Sequence, residues 1–128
     1  MIRLLIVDDH QLMRDGLVNL LGLENDIEIV GTAADGTEAV EKVGELRPSL
    51  VLMDVRMPTM SGIAATREIK ARHPETEVVL LTMHEEDEYV FEGLSAGASG
   101  YLLKDASHDE LMSTLARWKP ARRRSRRR

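Results

Sequence analysis

Five short hydrophobic runs recur along the chain, and each is followed by a segment with helical spacing. The runs are RLLIVDD (3–9), IEIVGTA (27–33), LVLMDV (50–55), EVVLLTM (77–83) and GYLLK (100–104). Several are apolar throughout instead of alternating with polar residues, which is typical of strands buried on both faces of a sheet. The pattern therefore predicts five strands of one parallel sheet.

The segments between these runs carry apolar residues three and four positions apart, as amphipathic helices do. The stripes are Met13, Leu17, Leu20 and Leu21; Ala39, Val43 and Leu46; and Leu111, Leu115 and Trp118. Asp35 with Glu38 has the spacing of a capping box before the second helix, and Ser107 with Glu110 repeats it before the fifth. This alternation predicts an α/β protein in three layers, with helices on both faces of the sheet.

Polar residues stand at the ends of four of the predicted strands. They are Asp8 and Asp9 after the first strand, Asp54 after the third, Thr82 after the fourth and Lys104 after the fifth. Ligands of open α/β sheets bind outside the carboxyl ends of the strands, so we expect these side chains to meet at one edge. Asp8 and Asp9 alone fit helix caps as well as metal ligands. Asp54, Thr82 and Lys104, each alone, are more simply a turn residue or ordinary strand ends. Their joint placement favours a common site.

Three carboxylates at one edge repel one another unless a cation lies between them. Mg²⁺ is typically held by one or two carboxylates together with phosphate oxygens. We therefore expect Asp9 and Asp54 to be direct ligands, with Asp8 beside them or bound through water and Mn²⁺ as the alternative ion. The backbone carbonyl of Arg56 would complete the protein's share. The histidines are scattered without the spacing of a metal site: His10, His73, His84 and His108.

Lys104 and Thr82 suit an anion on the other side of such a metal ion, since they offer an ammonium and a hydroxyl. Phosphoryl transfer needs this combination, because its catalysis is mostly positioning and charge neutralisation. Asp54 would be the nucleophile, since a carboxylate can form an acyl phosphate. Two other classes stay open. One is a phosphatase or phosphotransferase with a transient aspartyl phosphate, and the other is a module that only binds partners.

Composition narrows the class of protein. The 128 residues are 43% hydrophobic and include no cysteine, which fits one globular domain without disulfides. No apolar run approaches the ~20 residues that span a bilayer, and the N-terminus lacks the features of a signal peptide. A cytoplasmic protein without membrane partners is predicted.

Charge is distributed unevenly between the body and the end of the chain. Residues 1–116 hold 9 basic and 22 acidic residues, whereas 117–128 hold eight basic and no acidic ones. We predict a domain at 1–117 and a non-structural basic tail at 118–128. The tail admits three interpretations: an arm that binds nucleic acid or the acidic body, a linker toward a missing DNA-binding domain, or an artefact of cloning or reading frame.

The motifs VDDH, LMDVRMPTMSG, LLTM and GYLLKD, in this order and spacing, resemble the receiver domain of bacterial two-component response regulators. The resemblance covers residues 2 to about 117. DDHQLMRDGL and GYLLKDAS are most similar to the NarL/FixJ branch, whose full-length members carry a LuxR-type helix-turn-helix DNA-binding domain. The resemblance implies a flavodoxin-like (CheY-like) fold with strand order 2-1-3-4-5 and five helices.

The resemblance also implies a function. A sensor histidine kinase would phosphorylate the domain in a Mg²⁺-dependent reaction, and the domain would assist its own phosphorylation and dephosphorylation without being an enzyme otherwise. Phosphorylation would promote a homodimer and control transcription through a DNA-binding domain absent from this chain. The matched positions are Asp54 for the phosphoacceptor, Asp8 and Asp9 for the metal, Thr82 and Lys104 for the phosphoryl contacts, and Tyr101 for an aromatic switch.

Three positions depart from common receiver patterns. Arg56 and His84 lie two residues beyond the phosphoacceptor and the threonine, where family members flank the path of the hydrolytic water. A bulky pair there predicts slow self-dephosphorylation. Asp105 replaces the proline that often follows the lysine in a cis peptide. Because a cis bond before a non-proline residue costs ~3–4 kcal/mol, we expect a trans peptide after Lys104.

Overall fold

A computed structural model of the chain describes residues 1–82 and 87–118, without the side chains of 87–89. The strands are β1 (Ile2–Val7), β2 (Ile27–Ala33), β3 (Leu50–Asp54), β4 (Glu77–Thr82) and β5 (Gly100–Leu103). The helices are α1 (Gln11–Leu21), α2 (Gly36–Leu46), α3 (Gly62–Arg72), α4 (Asp87–Ser95) and α5 (His108–Ala116). The predicted alternation of strands and helices is confirmed.

The strands form one sheet in the order β2-β1-β3-β4-β5, and every pairing is parallel. This is the flavodoxin-like arrangement that the resemblance implied. The winding of the chain reverses between β1 and β3, which is where open α/β sheets form their ligand crevices. The register places Val7 opposite Met53, and Asp54 opposite Leu81. The ends of β1, β3 and β4 therefore lie side by side.

Each face of the sheet packs against its own hydrophobic core. Alternate residues of a strand point to opposite faces, so Leu52 belongs to one core and Met53 to the other. All five residues of β3 are buried. Burying one such side chain contributes ~1.5–3 kcal/mol, and the cores on both faces hold β3 firmly in place. Asp54 is thus attached to the most enclosed strand of the sheet.

Helix starts follow the predicted caps, with one difference. Ser107 accepts a hydrogen bond from the backbone of Glu110, whose carboxylate accepts one from the backbone of Ser107, completing a capping box. Asp35 likewise accepts from the backbone of Glu38. The Glu38 carboxylate, however, accepts from the backbone N–H of Ala34 at 2.8 Å. The reciprocal bond of the second helix is therefore shifted by one residue.

The last described residues of the chain pack against one of the two hydrophobic cores. Leu111 and Leu115 of α5 are buried as their spacing predicted, and Trp118 packs against the same cluster. The rest of the predicted basic tail, 119–128, lies outside the described residues. Among the described helices, none combines the length and the apolar character needed to cross a membrane.

Candidate functional site

Asp8 and Asp9 lie in the turn between β1 and α1. Asp8 is fully buried, whereas 26% of the Asp9 side chain is exposed. The backbone N–H of His10 donates to Asp8 Oδ1 at 2.9 Å, and Arg14 Nη1 donates to the Asp8 carbonyl at 2.7 Å. These bonds fix the turn from both ends, so that the two carboxylates face the end of β3.

Asp54 is the last residue of β3 and is 2% exposed. Lys104 follows β5, and its backbone N–H donates to the carbonyl of Thr82 at 2.8 Å. Its ammonium lies 3.0 Å from Asp54 Oδ2 and 3.8 Å from Asp8 Oδ2. One buried pocket thus contains an ion pair and a further carboxylate, drawn from the ends of three strands.

Burial makes the ionised form of Asp54 unfavourable. Burial raises the pKa of this carboxyl, the Lys104 ammonium lowers it, and the charges of Asp8 and Asp9 raise it, so that together they move the pKa from 3.8 to about 6. A cation that binds beside this buried carboxylate would stabilise its ionised form. The pocket is therefore suited to binding a cation, or to a reaction in which the Asp54 carboxylate forms a covalent bond.

The carboxylates also form a group with the geometry of a metal site. Asp8, Asp9, His10 and Asp54 each offer one ligand atom, and these atoms all lie within 4.8 Å of one another. Among the described residues, Asp8 Oδ2 and Thr82 Oγ1 are buried and have no hydrogen-bond partner. The mainly carboxylate donor set fits a hard cation such as Mg²⁺.

Four of the site residues predicted from the sequence meet here. Asp8, Asp9, Asp54 and Lys104 share the pocket, as their positions predicted. Thr82 is buried at the end of β4, Tyr101 is 49% exposed on β5, and Arg56 is exposed in the loop after β3. His84 lies outside the described residues. The peptide after Lys104 is trans, as expected.

Two contributors were missed by reading the sequence. His10 was grouped with scattered histidines, yet the structure brings its imidazole to the acidic pair. Arg14 was not predicted to belong to the site, although its side chain donates a hydrogen bond to the backbone carbonyl of Asp8. The available signal was position: His10 directly follows the acidic pair, and Arg14 lies one helical turn further along α1. Residues that open the helix after a strand-end motif can turn back toward it.

The loop after Asp54 returns to the strand at Gly62. The backbone N–H of Gly62 donates to the carbonyl of Val55 at 2.8 Å. A Cβ atom built on Gly62 would lie 2.0 Å from the carbonyl oxygen of Asp54, closer than atoms can approach. Glycine is thus required by space, and it allows α3 to begin directly against the phosphoacceptor candidate.

Gly62→Ala is expected to lower the free energy of unfolding by ~1–3 kcal/mol, the usual cost of forcing atoms into a packed site. Urea denaturation followed by circular dichroism measures it. Gly16→Ala is the matched control, because a Cβ on Gly16 meets nothing within 4 Å and alanine favours a helix interior by ~0.5–1 kcal/mol. Equal unfolding midpoints for Gly62→Ala and the unmodified chain would contradict the prediction.

Comparison with known proteins assigns the class of protein. The sequence profile of the response regulator receiver domain matches residues 4–116. The chain therefore belongs to the response regulator receiver family, as the motifs and strand order indicated. It is a receiver domain of a two-component system with an acidic pocket for phosphorylation formed by Asp8, Asp9, Asp54 and Lys104. Receiver domains are not an enzyme family in the usual sense.

Individual relatives agree with the predicted NarL/FixJ branch. The chain is 41% identical over 114 residues to the transcriptional regulatory protein DegU of Brevibacillus brevis, covering 89% of this chain and 48% of DegU. It is 45% identical over 111 residues to the oxygen regulatory protein NreC of Staphylococcus aureus, covering 86% and 51%. The chain thus spans about half the length of these curated relatives.

A solved structure supports the same assignment. The receiver domain of the putative response regulator NarL from Mycobacterium tuberculosis superposes with a TM-score of 0.86 at 34% identity. The match covers 91% of this chain and 94% of that domain. Because nearly all of both chains superposes, the matched residues of this chain have the fold of a receiver domain.

Proposed function

We propose that Asp54 is the phosphoacceptor of this receiver domain and that a sensor histidine kinase supplies the phosphoryl group. One observation carries the proposal: a buried carboxylate with a raised pKa lies 3.0 Å from the Lys104 ammonium, beside Asp8 and Asp9. An Asp54 oxygen forms a bond to phosphorus while the bond from phosphorus to the donor's histidine nitrogen breaks. The product is an acyl phosphate on Asp54.

The other pocket residues neutralise and position the transferred group. Lys104 offers a point charge to a phosphoryl oxygen, and Thr82 Oγ1 is a buried hydroxyl able to donate to another. Mg²⁺ held by Asp9 and Asp54, with Asp8 beside it and the Arg56 carbonyl as a further ligand, would offset the remaining charge; Mn²⁺ would serve similarly. Arg56 and His84 are proposed to restrict the hydrolytic water and prolong the phosphorylated state.

The switch follows from the charge that phosphorylation adds. A phosphoryl group brings about −1.5 to −2 charge near neutral pH, and it draws Thr82 toward the pocket. Tyr101 lies on the adjacent strand β5 with its side chain half exposed, and its ring is proposed to turn inward as Thr82 moves. The surface formed by α4 and β5 then changes, and partners that prefer this arrangement bind. A homodimer is the expected partner state.

The domain that this receiver controls is proposed to belong to a longer, cytoplasmic protein. DegU, about half of whose length matches this chain, is named a transcriptional regulatory protein. We propose that the receiver, residues 1–117, controls a C-terminal helix-turn-helix domain and binds DNA only through it. Trp118 packs against the core of the receiver, so the proposed tail between the two domains, or artefact, is residues 119–128.

Incubation with Mg²⁺ and acetyl phosphate tests the proposal against its rivals. A stable gain of one phosphoryl group by intact-protein mass spectrometry, dependent on Asp54, supports a switch. Continuous release of phosphate without a stable adduct indicates a phosphatase or phosphotransferase. An unreactive chain indicates a module that only binds partners.

Mg²⁺ is expected to bind about tenfold more weakly at pH 5 than at about pH 7.5, because protons compete for Asp54 below its pKa of about 6. The measurement is the melting temperature over a MgCl₂ series at both pH values. At 100 times Kd, binding adds ~2.7 kcal/mol to the free energy of unfolding. NaCl at matched ionic strength is the control. Equal Mg²⁺ affinity at both pH values would count against Asp54 as a ligand.

A further inference from the structure

The imidazole of His10 lies against both carboxylates of the acidic pair. Its Nδ1 is 3.2 Å from Asp9 Oδ1 and 3.4 Å from Asp8 Oδ1. His10 is the N-cap residue of α1, but its side chain makes no capping hydrogen bond. Its backbone N–H instead donates to Asp8 Oδ1. The ring is therefore turned away from the helix and toward the carboxylates, while 70% of the side chain remains exposed.

The contact between Nδ1 and Asp9 is close, yet it is not a hydrogen bond. Asp9 Oδ1 is buried and has no hydrogen-bond partner within the part of the chain that the structure describes. An imidazole nitrogen and a carboxylate oxygen are both atoms that bind metal ions. A cation placed between them would bind both atoms.

The spacing of these atoms fits one coordination sphere. Ligands at about 2.1 Å from Mg²⁺ in an octahedron lie ~3 Å from their nearest neighbours and ~4.2 Å from the opposite ligand. The contacts of 3.2 and 3.4 Å resemble the first value, and the 4.8 Å limit on the distances among all four candidate atoms is somewhat larger than the second, so a bound ion would draw these atoms slightly closer together. Asp8 Oδ2, buried without a hydrogen-bond partner among the described residues, provides a second sign that this group binds a ligand.

We propose that His10 Nδ1 is a ligand of the metal site and determines which cation the site prefers. This inference rests on the proposed metal-binding function of Asp9 and Asp54. Imidazole suits borderline transition metals, whereas carboxylates suit Mg²⁺. A site that adds one nitrogen to carboxylate oxygens therefore favours Mn²⁺ and Co²⁺ over Mg²⁺ more than an all-oxygen site does. His10 acts as a residue that determines the metal specificity of the site.

Pulsed electron paramagnetic resonance of bound Mn²⁺ tests the inference directly. The full chain with Mn²⁺ is expected to show the modulation of a directly bound nitrogen, and His10→Gln is expected to lose it. His73→Gln is the matched control, because His73 follows α3 at the opposite edge of the sheet and stays outside the ligand group. Calorimetric titration should give a Co²⁺ affinity lowered about tenfold or more in His10→Gln, with Mg²⁺ affinity changed less than about twofold.

The outcomes separate this inference from the proposed function. Mn²⁺ that binds the unmodified chain without nitrogen modulation overturns His10 as a ligand and leaves the carboxylate site intact. Equal weakening of Mg²⁺ and Co²⁺ in His10→Gln also overturns it, because the residue would then only support the turn. A chain that binds neither Mg²⁺ nor Mn²⁺ overturns the proposed metal-dependent function itself. Retained modulation in His73→Gln, together with its loss in His10→Gln, supports the assignment.

Discussion

Asp54→Asn is expected to abolish incorporation of a phosphoryl group from acetyl phosphate while the chain keeps its fold. The amide has nearly the same shape as the carboxylate, so the buried end of β3 is preserved. It lacks the anionic oxygen that attacks phosphorus, and no acyl phosphate can form. Intact-protein mass spectrometry after incubation with Mg²⁺ shows the result, and circular dichroism checks the fold.

The same substitution has a consequence for stability whose sign depends on pH. The folded-state pKa of Asp54, about 6, lies above the unfolded value of 3.8. The folded chain thus holds an extra proton between these values, so the free energy of unfolding falls as the pH rises from about 4 to about 6 and stays at the lower level above that. Without Mg²⁺, Asp54→Asn should raise the free energy of unfolding by about 1–2 kcal/mol near pH 7.5. The gain should shrink toward zero as the pH falls to about 4.

Asp15→Asn is the matched control, since Asp15 is an exposed carboxylate on α1. It should leave both the labelling and the pH dependence of stability unchanged. If Asp54→Asn were still labelled as fully as the unmodified chain, the phosphoacceptor would be another residue. If its stability followed the same pH profile as the unmodified chain, the buried charge of Asp54 would not be a significant cost.

The sequence was sufficient to predict how the strands and the main charged residues are arranged. A parallel strand buried on both faces is apolar throughout, and β3 shows this directly. Strand ends at one edge bring residues together whatever the exact side-chain conformations, so Asp8, Asp54 and Lys104 could be grouped without coordinates. The edge strand β5 is less buried, and its Tyr101 is exposed in a way that hydrophobic pattern alone does not specify.

The details of the turns were beyond prediction because they depend on backbone geometry. His10 reaches the acidic pair only because its ring turns away from α1 instead of capping it. Arg14 contacts a backbone carbonyl, a group that every residue type carries. Gly62 is required by a carbonyl oxygen eight residues earlier in the chain, at Asp54. Each of these relations joins a side chain or a Cβ position to main-chain atoms that no pattern of residue types records.

Lys104→Met is expected to slow labelling by acetyl phosphate about 100-fold or more, the usual effect of removing one preorganised group that stabilises transition-state charge. Methionine keeps most of the aliphatic length of the side chain and removes its ammonium. The loss should therefore come from the missing charge beside Asp54, which lies 3.0 Å from the ammonium. The rate is measured by mass spectrometry over a time course at saturating Mg²⁺.

Metal binding should respond in the opposite direction. The Lys104 ammonium shares Asp54 and Asp8 with any cation that enters the pocket, so its removal should leave Mg²⁺ affinity unchanged or increase it. Without Mg²⁺, Asp54 in Lys104→Met lacks the ammonium that lowers its pKa, and the free energy of unfolding near pH 7.5 should fall by about 1–3 kcal/mol. Added Mg²⁺ should recover more stability in this variant than in the unmodified chain.

Slow labelling combined with retained metal binding distinguishes a phosphoryl contact from a structural role. A merely structural Lys104 would, when replaced, weaken Mg²⁺ binding and labelling together, because the pocket itself would be disturbed. Lys42→Met provides the same change of residue on α2, where Lys42 pairs with Glu38 at 3.7 Å, and it should alter neither property. Labelling of Lys104→Met at the rate of Lys42→Met would show that metal-bound Asp54 needs no second positive charge for phosphorylation.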